Sequence, residues 1–268
     1  MSGIAAAPPG VDVKIPAPAR IYDYYLGGKD NFAADRVAAE KALSVVPEGR
    51  EVARSNRQFL VRAVRHMASQ GIAQFIDLGT GFPTSPSVHQ IAAANLTVRP
   101  RVVYIDNDPM VTSHNQALLA GNQVATTTVI HGDIRSPGQI FAGQELWSAI
   151  DFSQPVGVLF VAVLHFIPAE DDPYGSVRAF CAQMAPGSFL AVSHITSDGT
   201  APTVMTAIRD AYRTASAPAV FRSRAEIEGF FAGLEIVHPG IVEVSAWRAR
   251  GGDQIPALRI LGGVGGKQ

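Results

Sequence analysis

Two short apolar segments of the sequence end in an acidic residue, and a third predicted strand is followed by another acid. Asp77 lies just before a Gly-Thr-Gly turn at residues 79–81, Asp106 ends the next apolar run, and Asp133 follows the third strand. Buried parallel strands have this pattern when their carboxyl ends open onto a crevice that holds a nucleotide. The spacing therefore predicts a nucleoside site along one edge of a parallel sheet.

Each of the later acids suits one part of a nucleoside. Asp106, with Asn107 beside it, can accept the hydrogen bonds of a ribose diol. The alternative is a helix cap, a role that Asp108 before Pro109 fits better. Asp133 can accept from the exocyclic amine of an adenine, while Ile134 offers backbone and a packing surface.

The turn after Asp77 favours a cationic ligand over a phosphate. A dinucleotide fingerprint needs GxGxxG, and here Thr84 stands where the third glycine belongs. A carboxylate at Asp77 would repel a pyrophosphate and attract an ammonium or a sulfonium. S-adenosylmethionine is the common nucleoside cofactor of that kind. A plain strand-to-helix turn without a ligand, and an NAD-dependent oxidoreductase, are the weaker alternatives.

Methyl transfer from a sulfonium needs a general base only when the acceptor must lose a proton. The candidates for that base are His165, His194 and Tyr25. The two histidines follow or end predicted strands, and each has packing or a wall of the cofactor site as its alternative role. The sequence suggests no set of metal ligands, so no metal is expected.

An aromatic and polar block at residues 20–32 precedes the strands. Tyr22 and Tyr25 are expected to stack on a ligand or to contact a sulfonium through their ring faces, or else only to staple the segment to the domain. Arg20, or an arginine from residues 49–70, is a candidate partner for the methionine carboxylate. The candidate cofactor-binding residues are Arg20, Tyr22, Asp77, Gly79, Thr80, Gly81, Asp106, Asn107, Asp133, Ile134 and Ala162.

Alternating strands and helices must position these residues. The patterns predict strands near 73–78, 101–106, 125–131, 156–162 and 187–194. They predict helices near 33–46, 49–70, 85–95, 109–121, 137–143, 173–184, 201–216 and 224–231. Such alternation implies right-handed crossovers and a parallel sheet.

The alternation stops after the last of these helices. Residues 242–247 and 257–261 are strand-like and flank a Gly-rich turn at 251–253, so they predict a closing antiparallel hairpin. The glycine-rich tail, residues 262–268, is expected to fray, and residues 1–19 are expected to form a flexible arm.

Bulk properties exclude several classes of protein. The chain has 268 residues and a formal net charge of -1, without a basic tract, so nucleic acid is an unexpected partner. Its single cysteine, Cys181, excludes a disulfide within the chain. We expect no membrane span and no secretory signal, hence a cytoplasmic protein, either a monomer or a homodimer.

The motifs together resemble a class I S-adenosylmethionine-dependent methyltransferase. The resemblance is to the actinobacterial S-adenosyl methyltransferase family, formerly catalogued as a domain of unknown function, and it runs from about residue 19 to 266. It is carried by the segments RIYDYYLGGKDNF (20–32), RSNRQFL (54–60), DLGTGFPT (77–84), YIDNDP (104–109), GDIR (132–135) and VLHFIP (163–168).

The resemblance implies a Rossmann-like, doubly wound α/β fold. Its seven-stranded sheet would have the order 3-2-1-4-5-7-6 with the last strand antiparallel. Residues 20–72 would form a helical cap over the cofactor and residues 73–268 the methyltransferase domain. The implied function is direct in-line methyl transfer to an unidentified small molecule. The alternative is a protein of this fold that binds or senses S-adenosylmethionine or S-adenosylhomocysteine without transfer.

Overall fold

The computed structural model describes residues 11–249 and 256–268. The predicted turn at 251–253 and the first ten residues of the predicted arm lie outside the described residues. Within the described part of the chain, no helix is both long and apolar enough to cross a membrane.

One mixed sheet forms the centre of the fold. Its strands are β1 Gln74–Leu78, β2 Arg101–Asp106, β3 Thr126–His131, β4 Gly157–Val161, β5 Phe189–Ile195, β6 Glu235–Ile236, β7 Val242–Glu243 and β8 Ile260–Gly266. The order is β3-β2-β1-β4-β5-β8-β6, and the two-residue strand β7 pairs with β8 outside that path. Strands β1 to β5 pair in parallel, and β8 is antiparallel to β5. The predicted order is therefore confirmed, with β7 as an addition.

Helices cover both faces of this sheet. They are α1 Pro18–Leu26, α2 Ala33–Leu43, α3 Gly49–Ser69, α4 Val88–Ala93, α5 Pro109–Leu119, α6 Pro137–Ala142, α7 Gln144–Ala149, α8 Pro173–Gln183, α9 Pro202–Tyr212 and α10 Arg224–Glu228. Successive strand residues point to opposite faces. Phe75 and Leu159 pack with α1 to α3 and α9, whereas Ile76 and Phe160 pack with α6 to α8 and α10. The sheet is thus doubly wound.

The glycine-rich tail is not frayed, so that expectation was wrong. Residues 262–266 of the tail belong to β8, which lies between β5 and β6 and is buried along nearly its whole length. The glycines let neighbouring side chains pack directly on the strand. A Cβ at Gly262 would lie 2.9 Å from a methyl of Val244, and one at Gly265 would lie 2.9 Å from the ring of Phe231. Both distances are shorter than carbon atoms tolerate.

The first two helices are joined by a buried carboxylate. Asp35 accepts hydrogen bonds from the backbone N–H of Ala17 at 2.9 Å and of Phe32 at 2.8 Å, and it pairs with Arg20 at 3.2 Å. Its side chain is fully buried. It therefore ties the segment before α1, the α1 helix and the loop before α2 to one point. The division into a cap at 20–72 and a domain at 73–268 stays a prediction.

Candidate active site

A cavity of about 680 Å³ lies where β1 to β4 end and α1 and α3 approach the sheet. Its volume is typical of a site for a small molecule. All the candidate cofactor-binding residues line it, namely Arg20, Tyr22, Asp77, Gly79, Thr80, Gly81, Asp106, Asn107, Asp133, Ile134 and Ala162. The carboxyl ends of neighbouring parallel strands meet at one edge of the sheet, and this brings the strand-terminal acids together.

The turn after β1 requires glycine for two reasons. Gly79 and Gly81 have φ angles of 66° and 63°, a region that favours glycine. A Cβ at Gly79 would also lie 2.2 Å from a methyl of Val163, the second residue after β4. The turn is therefore packed directly against the end of β4.

Asp106 links the end of β2 to that turn. One carboxylate oxygen accepts from the backbone N–H of Gly81 at 2.9 Å, and the other accepts from the N–H of Asp108 at 2.9 Å. Burial raises the pKa of Asp106 to about 6. The helix-capping role belongs to Asp108, whose side chain accepts from the N–H of Met110. Asp106 is thus left to face the cavity.

Asp77 is a second buried acid at the cavity. Burial raises its pKa to about 6, although the nearby guanidinium of Arg57 opposes the shift. Thr80 donates a hydrogen bond to its carboxylate at 3.1 Å. Arg57 also lines the cavity, and its Nε is buried without a hydrogen-bond partner among the described residues. One acidic and one positively charged side chain, Asp77 and Arg57, therefore lie together where the ammonium and the carboxylate of an amino acid could be held.

Asp133 and Ile134 lie at the far side of the cavity, after β3. Arg135 donates from Nε to a carboxylate oxygen of Asp133 at 3.0 Å. Burial would raise the pKa of Asp133, but the hydrogen bonds from Arg135 outweigh it and hold the pKa below its usual value. Ile134 is buried. An anionic acceptor thus lies next to an apolar surface.

The two N-terminal candidates use their polar atoms inside the protein. Arg20 donates to the carbonyl of Ile15 at 2.6 Å besides its pairing with Asp35. Tyr22 donates from its hydroxyl to the carbonyl of Ala53 at 2.9 Å. Both residues line the cavity, but Arg20 already has an anionic partner. Arg57 donates from Nη2 to the backbone carbonyls of Thr84 and Pro86, but no acidic side chain of the described residues lies within salt-bridge distance of it, so it is the better placed partner for a ligand carboxylate.

Ala162 follows β4 directly and has an unusual backbone. Its φ angle is 56°, a region that residues other than glycine rarely adopt. Its N–H donates to the hydroxyl of Ser193 at 2.9 Å. Strain of this kind is kept where the surrounding structure fixes it, often at functional sites.

The three candidate bases do not line the cavity. His194 is fully buried, and its ring nitrogens contact Arg222 at 2.7 Å and the carbonyl of Ile195 at 2.6 Å. Burial lowers the pKa of His165 to about 3. Burial raises the pKa of Tyr25 to about 12. The strand-end positions were identified from the sequence, but the side chains point into the protein.

The cavity also contains residues that the sequence analysis did not name singly, although it predicted a carboxylate partner among the arginines of residues 49–70. Asn56 and Arg57 come from α3, inside the RSNRQFL segment that helped to carry the resemblance. The loops after β4 and α9 supply Phe166, Ile167, Ser216 and Ala217. Phe166 and Ile167 belong to the VLHFIP segment at 163–168, whereas no local motif marks Ser216 and Ala217. In the described ranges, 11–249 and 256–268, no three His, Cys, Asp or Glu side chains converge as a metal site would require.

Comparison with known proteins gives a consistent result. A family model described as S-adenosyl methyltransferase matches residues 5–268. A DUF574 family protein from Streptomyces avermitilis is 38% identical, with a TM-score of 0.90, and the match covers 96% of this chain and 99% of that one. A Thermobifida fusca protein provisionally described as a methyltransferase is 36% identical, with a TM-score of 0.90 and coverage of 98% and 99%.

A more distant match shows the fold alone. It is the 1,6-didemethyltoxoflavin-N1-methyltransferase of Burkholderia thailandensis, crystallised with 1,6-didemethyltoxoflavin and S-adenosylhomocysteine. The two chains are 17% identical, with a TM-score of 0.50, and the match covers 96% of this chain and 93% of that one. A search of curated protein sequences finds no match.

Proposed function

We propose that this chain, which belongs to the S-adenosyl methyltransferase family, transfers a methyl group to a small organic acceptor by direct in-line displacement. Family and fold make it an S-adenosylmethionine-dependent methyltransferase. The observation that carries the proposal is the cavity. Every cofactor candidate chosen from the sequence lines one space of about 680 Å³ at the ends of the parallel strands.

Each part of the cofactor has a matching group in that cavity. Asp133 and Ile134 suit the adenine, because one accepts from an amine and the other offers an apolar surface. Asp106 suits the ribose diol. Asp77 suits the ammonium, and the guanidinium of Arg57, which lines the same cavity, suits the carboxylate. These charges oppose those of the amino-acid moiety, so they both bind and orient it.

The cofactor supplies an activated methyl group on a sulfonium leaving group. The protein's part is then to align donor and acceptor and to exclude water. Positioning of this kind contributes roughly 7–11 kcal/mol to the lowering of a barrier. The enclosing segment before α1, held by Asp35, and the packed turn at Gly79 support such alignment.

The acceptor is proposed to react without losing a proton first. None of His165, His194 and Tyr25 lines the cavity, so the predicted bases are not positioned to take a proton there. The loops after β4 and α9 present mainly apolar groups, from Phe166 and Ile167 to Ala217. A neutral, largely apolar molecule with a nitrogen or sulfur lone pair fits this wall.

The buried position of the three base candidates also favours a second function. A protein of this fold that binds S-adenosylmethionine or S-adenosylhomocysteine for sensing needs no base and no acceptor. The two functions differ in product formation. We therefore expect transfer activity to decide between them.

The test begins with calorimetric titration of the purified protein with S-adenosylmethionine, S-adenosylhomocysteine and NAD. We expect binding of the first two and not of NAD. Asp106→Ala should weaken S-adenosylmethionine binding by about tenfold or more, because a charge-assisted hydrogen bond is lost. Binding of NAD without binding of S-adenosylmethionine or S-adenosylhomocysteine would contradict the proposal.

Turnover is then measured with a panel of neutral amines, heterocyclic nitrogens, thiols and phenols, by following S-adenosylhomocysteine. We expect product with acceptors that carry a free lone pair and none with phenols at neutral pH. If the cofactor binds tightly and the whole panel gives no product, the sensing function is favoured instead.

A further inference from the structure

A chain of buried hydrogen bonds crosses from the sheet to the cavity wall. The N–H of Ala162 donates to the hydroxyl of Ser193 at 2.9 Å, and that hydroxyl donates to Oδ1 of Asn56 at 2.6 Å. Nδ2 of Asn56 donates to the hydroxyl of Tyr22 at 3.0 Å, which donates to the carbonyl of Ala53 at 2.9 Å. The chain thus connects the ends of β4 and β5 to α3 and α1.

The direction of these bonds is fixed by their two ends. The N–H of Ala162 only donates and the carbonyl of Ala53 only accepts. If the amide of Asn56 were flipped, the hydroxyl of Ser193 would receive two donors and its own hydrogen would lose its acceptor. Tyr22 would then have to turn its hydrogen away from Ala53. The amide therefore has one orientation that satisfies every member.

Burial makes this arrangement rigid. Asn56 is 2% exposed and Ser193 is fully buried, so water cannot replace a lost partner at either residue. Three members of this series of hydrogen bonds line the cavity, namely Ala162, Asn56 and Tyr22. The hydroxyl of Tyr22 is held on α3, which leaves the body of the side chain to form part of the cavity wall.

We propose that Asn56 and Ser193 are positioning residues that hold the aromatic ring of Tyr22 against the sulfonium centre of the cofactor. The inference rests on the proposed function. A tyrosine face attracts a cation when the ring is fixed near it. S-adenosylmethionine carries that cation and S-adenosylhomocysteine does not. The network therefore raises the affinity for S-adenosylmethionine relative to that for S-adenosylhomocysteine.

The experiment measures dissociation constants for both molecules by calorimetry and compares their ratio, S-adenosylhomocysteine over S-adenosylmethionine. Tyr22→Leu removes the ring and should lower the ratio by roughly two- to thirtyfold. Asn56→Ala and Ser193→Ala should lower it in the same direction by about threefold or more. Adding Asn56→Ala to Tyr22→Leu should lower it no further, because the ring through which Asn56 acts is gone.

Another serine of the protein provides a matched control for Ser193. Ser188 is also fully buried, and its hydroxyl accepts from the N–H of Val156 at 3.0 Å, at the opposite end of the same pair of strands. Ser188→Ala removes an equivalent hydrogen bond away from the cavity. It should leave the ratio at the wild-type value. A fall of equal size in this variant would overturn the inference.

Tyr22→Phe tests the network without touching a fully buried residue. It removes the hydroxyl and keeps the ring, so the ratio should fall as it does in Asn56→Ala. A wild-type ratio in Tyr22→Phe, or in both Asn56→Ala and Ser193→Ala, would contradict the positioning role. If the wild-type protein binds neither molecule, the proposed function fails with it; if both bind and only the ratios stay constant, the inference fails alone.

Discussion

Two buried carboxylates dominate the cavity at the scale of single residues. Asp77 and Asp106 each have a pKa raised to about 6, because burial disfavours their charge. A carboxyl group whose pKa is higher in the folded than in the unfolded protein binds its proton more tightly when folded. It therefore stabilises the fold fully at pH values below the unfolded pKa of 3.8. That contribution is lost as the pH rises through the folded value. At neutral pH, the two carboxylates of the free protein are therefore mostly charged. This destabilises the fold but favours the binding of a cationic ligand.

Asp77→Asn should separate stability from binding. The neutral amide avoids the cost of a buried charge, so the free energy of unfolding at pH 7.5 should rise by about 1–3 kcal/mol. At pH 3.5 the gain should vanish, since the wild-type carboxyl is then protonated. Affinity for S-adenosylmethionine should fall, because the ammonium loses its partner. Urea unfolding at both pH values and calorimetry check this, and a variant that is less stable at pH 7.5 would contradict it.

The sequence predicted which residues line the cavity, but it did not predict the hydrogen-bond network behind Tyr22. Acids at strand ends and glycines in a turn are local signals, and the fold brings them to one edge. Asn56 and Ser193, in contrast, are 137 positions apart, and only the packing of α3 on β5 joins them. His165 and His194 show the limit of the same logic. A strand-end position predicts where the backbone lies, but it does not predict which way the side chain points.

At the scale of elements, the turn between β1 and α4 depends on direct contact with the end of β4. The φ angle of Gly79 and the closeness of Val163 act together there. Gly71, after α3, has a similar φ of 87° but open space around its Cα. The two glycines therefore allow the cost of backbone strain to be distinguished from the cost of a clash.

Gly79→Ala should destabilise the protein by roughly 2–4 kcal/mol, through strain and overpacking together. Gly71→Ala should cost about 1 kcal/mol, because only the backbone is strained. Urea unfolding of both variants measures the difference. An equal decrease in the free energy of unfolding in both variants would mean that the turn after β1 can move away from β4. The close packing of the turn on β4 would then contribute nothing to stability.

Asp35→Ala should be among the most destabilising single changes in the N-terminal helices. It would leave the buried guanidinium of Arg20 without its carboxylate, besides two backbone N–H groups without an acceptor. Breaking a buried pair from one side costs about 3–5 kcal/mol. Glu51→Ala, which removes the exposed partner of Arg54, is the control and should cost well under 1 kcal/mol. A small loss in Asp35→Ala, seen by thermal or urea unfolding, would remove Asp35 from this role.

The predicted elements show where local patterns suffice. The five parallel strands lie within two residues of their predicted bounds. Four of them are almost wholly buried apolar runs, which are typical of a parallel sheet, whereas β3 is a threonine-rich edge strand in which only Ile130 is buried. The last strand was misjudged. Its glycines, 262, 263, 265 and 266, indicate flexibility when only local propensity is considered. They belong to a strand because helix and loop side chains pack where a Cβ would lie.

At the scale of the whole molecule, the sheet is completed by residues from the C-terminal part of the sequence. β8 pairs with β5 along seven positions and also holds β6 and β7. Its removal would leave β5 with an open edge and expose apolar side chains on both faces of the sheet. The integrity of the cavity therefore depends on a strand that contributes no residue to it.

Deleting residues 260–268 should abolish cooperative folding, although these residues lie outside the cavity. Deleting Gln268 alone, which is exposed, should leave the melting temperature nearly unchanged. Circular dichroism and thermal unfolding of the two truncated proteins check this. A cooperative transition in the longer deletion would show that the remaining strands fold without β8.

The position of β8 also bears on how the protein is made. A ribosome delivers strands in sequence order, so β5 emerges well before the strand that will pair with its free side. During that interval, the backbone edge of β5 is open to neighbouring nascent chains. The stretch of translation between β5 and β8 is thus the period in which a newly made copy is most exposed to aggregation.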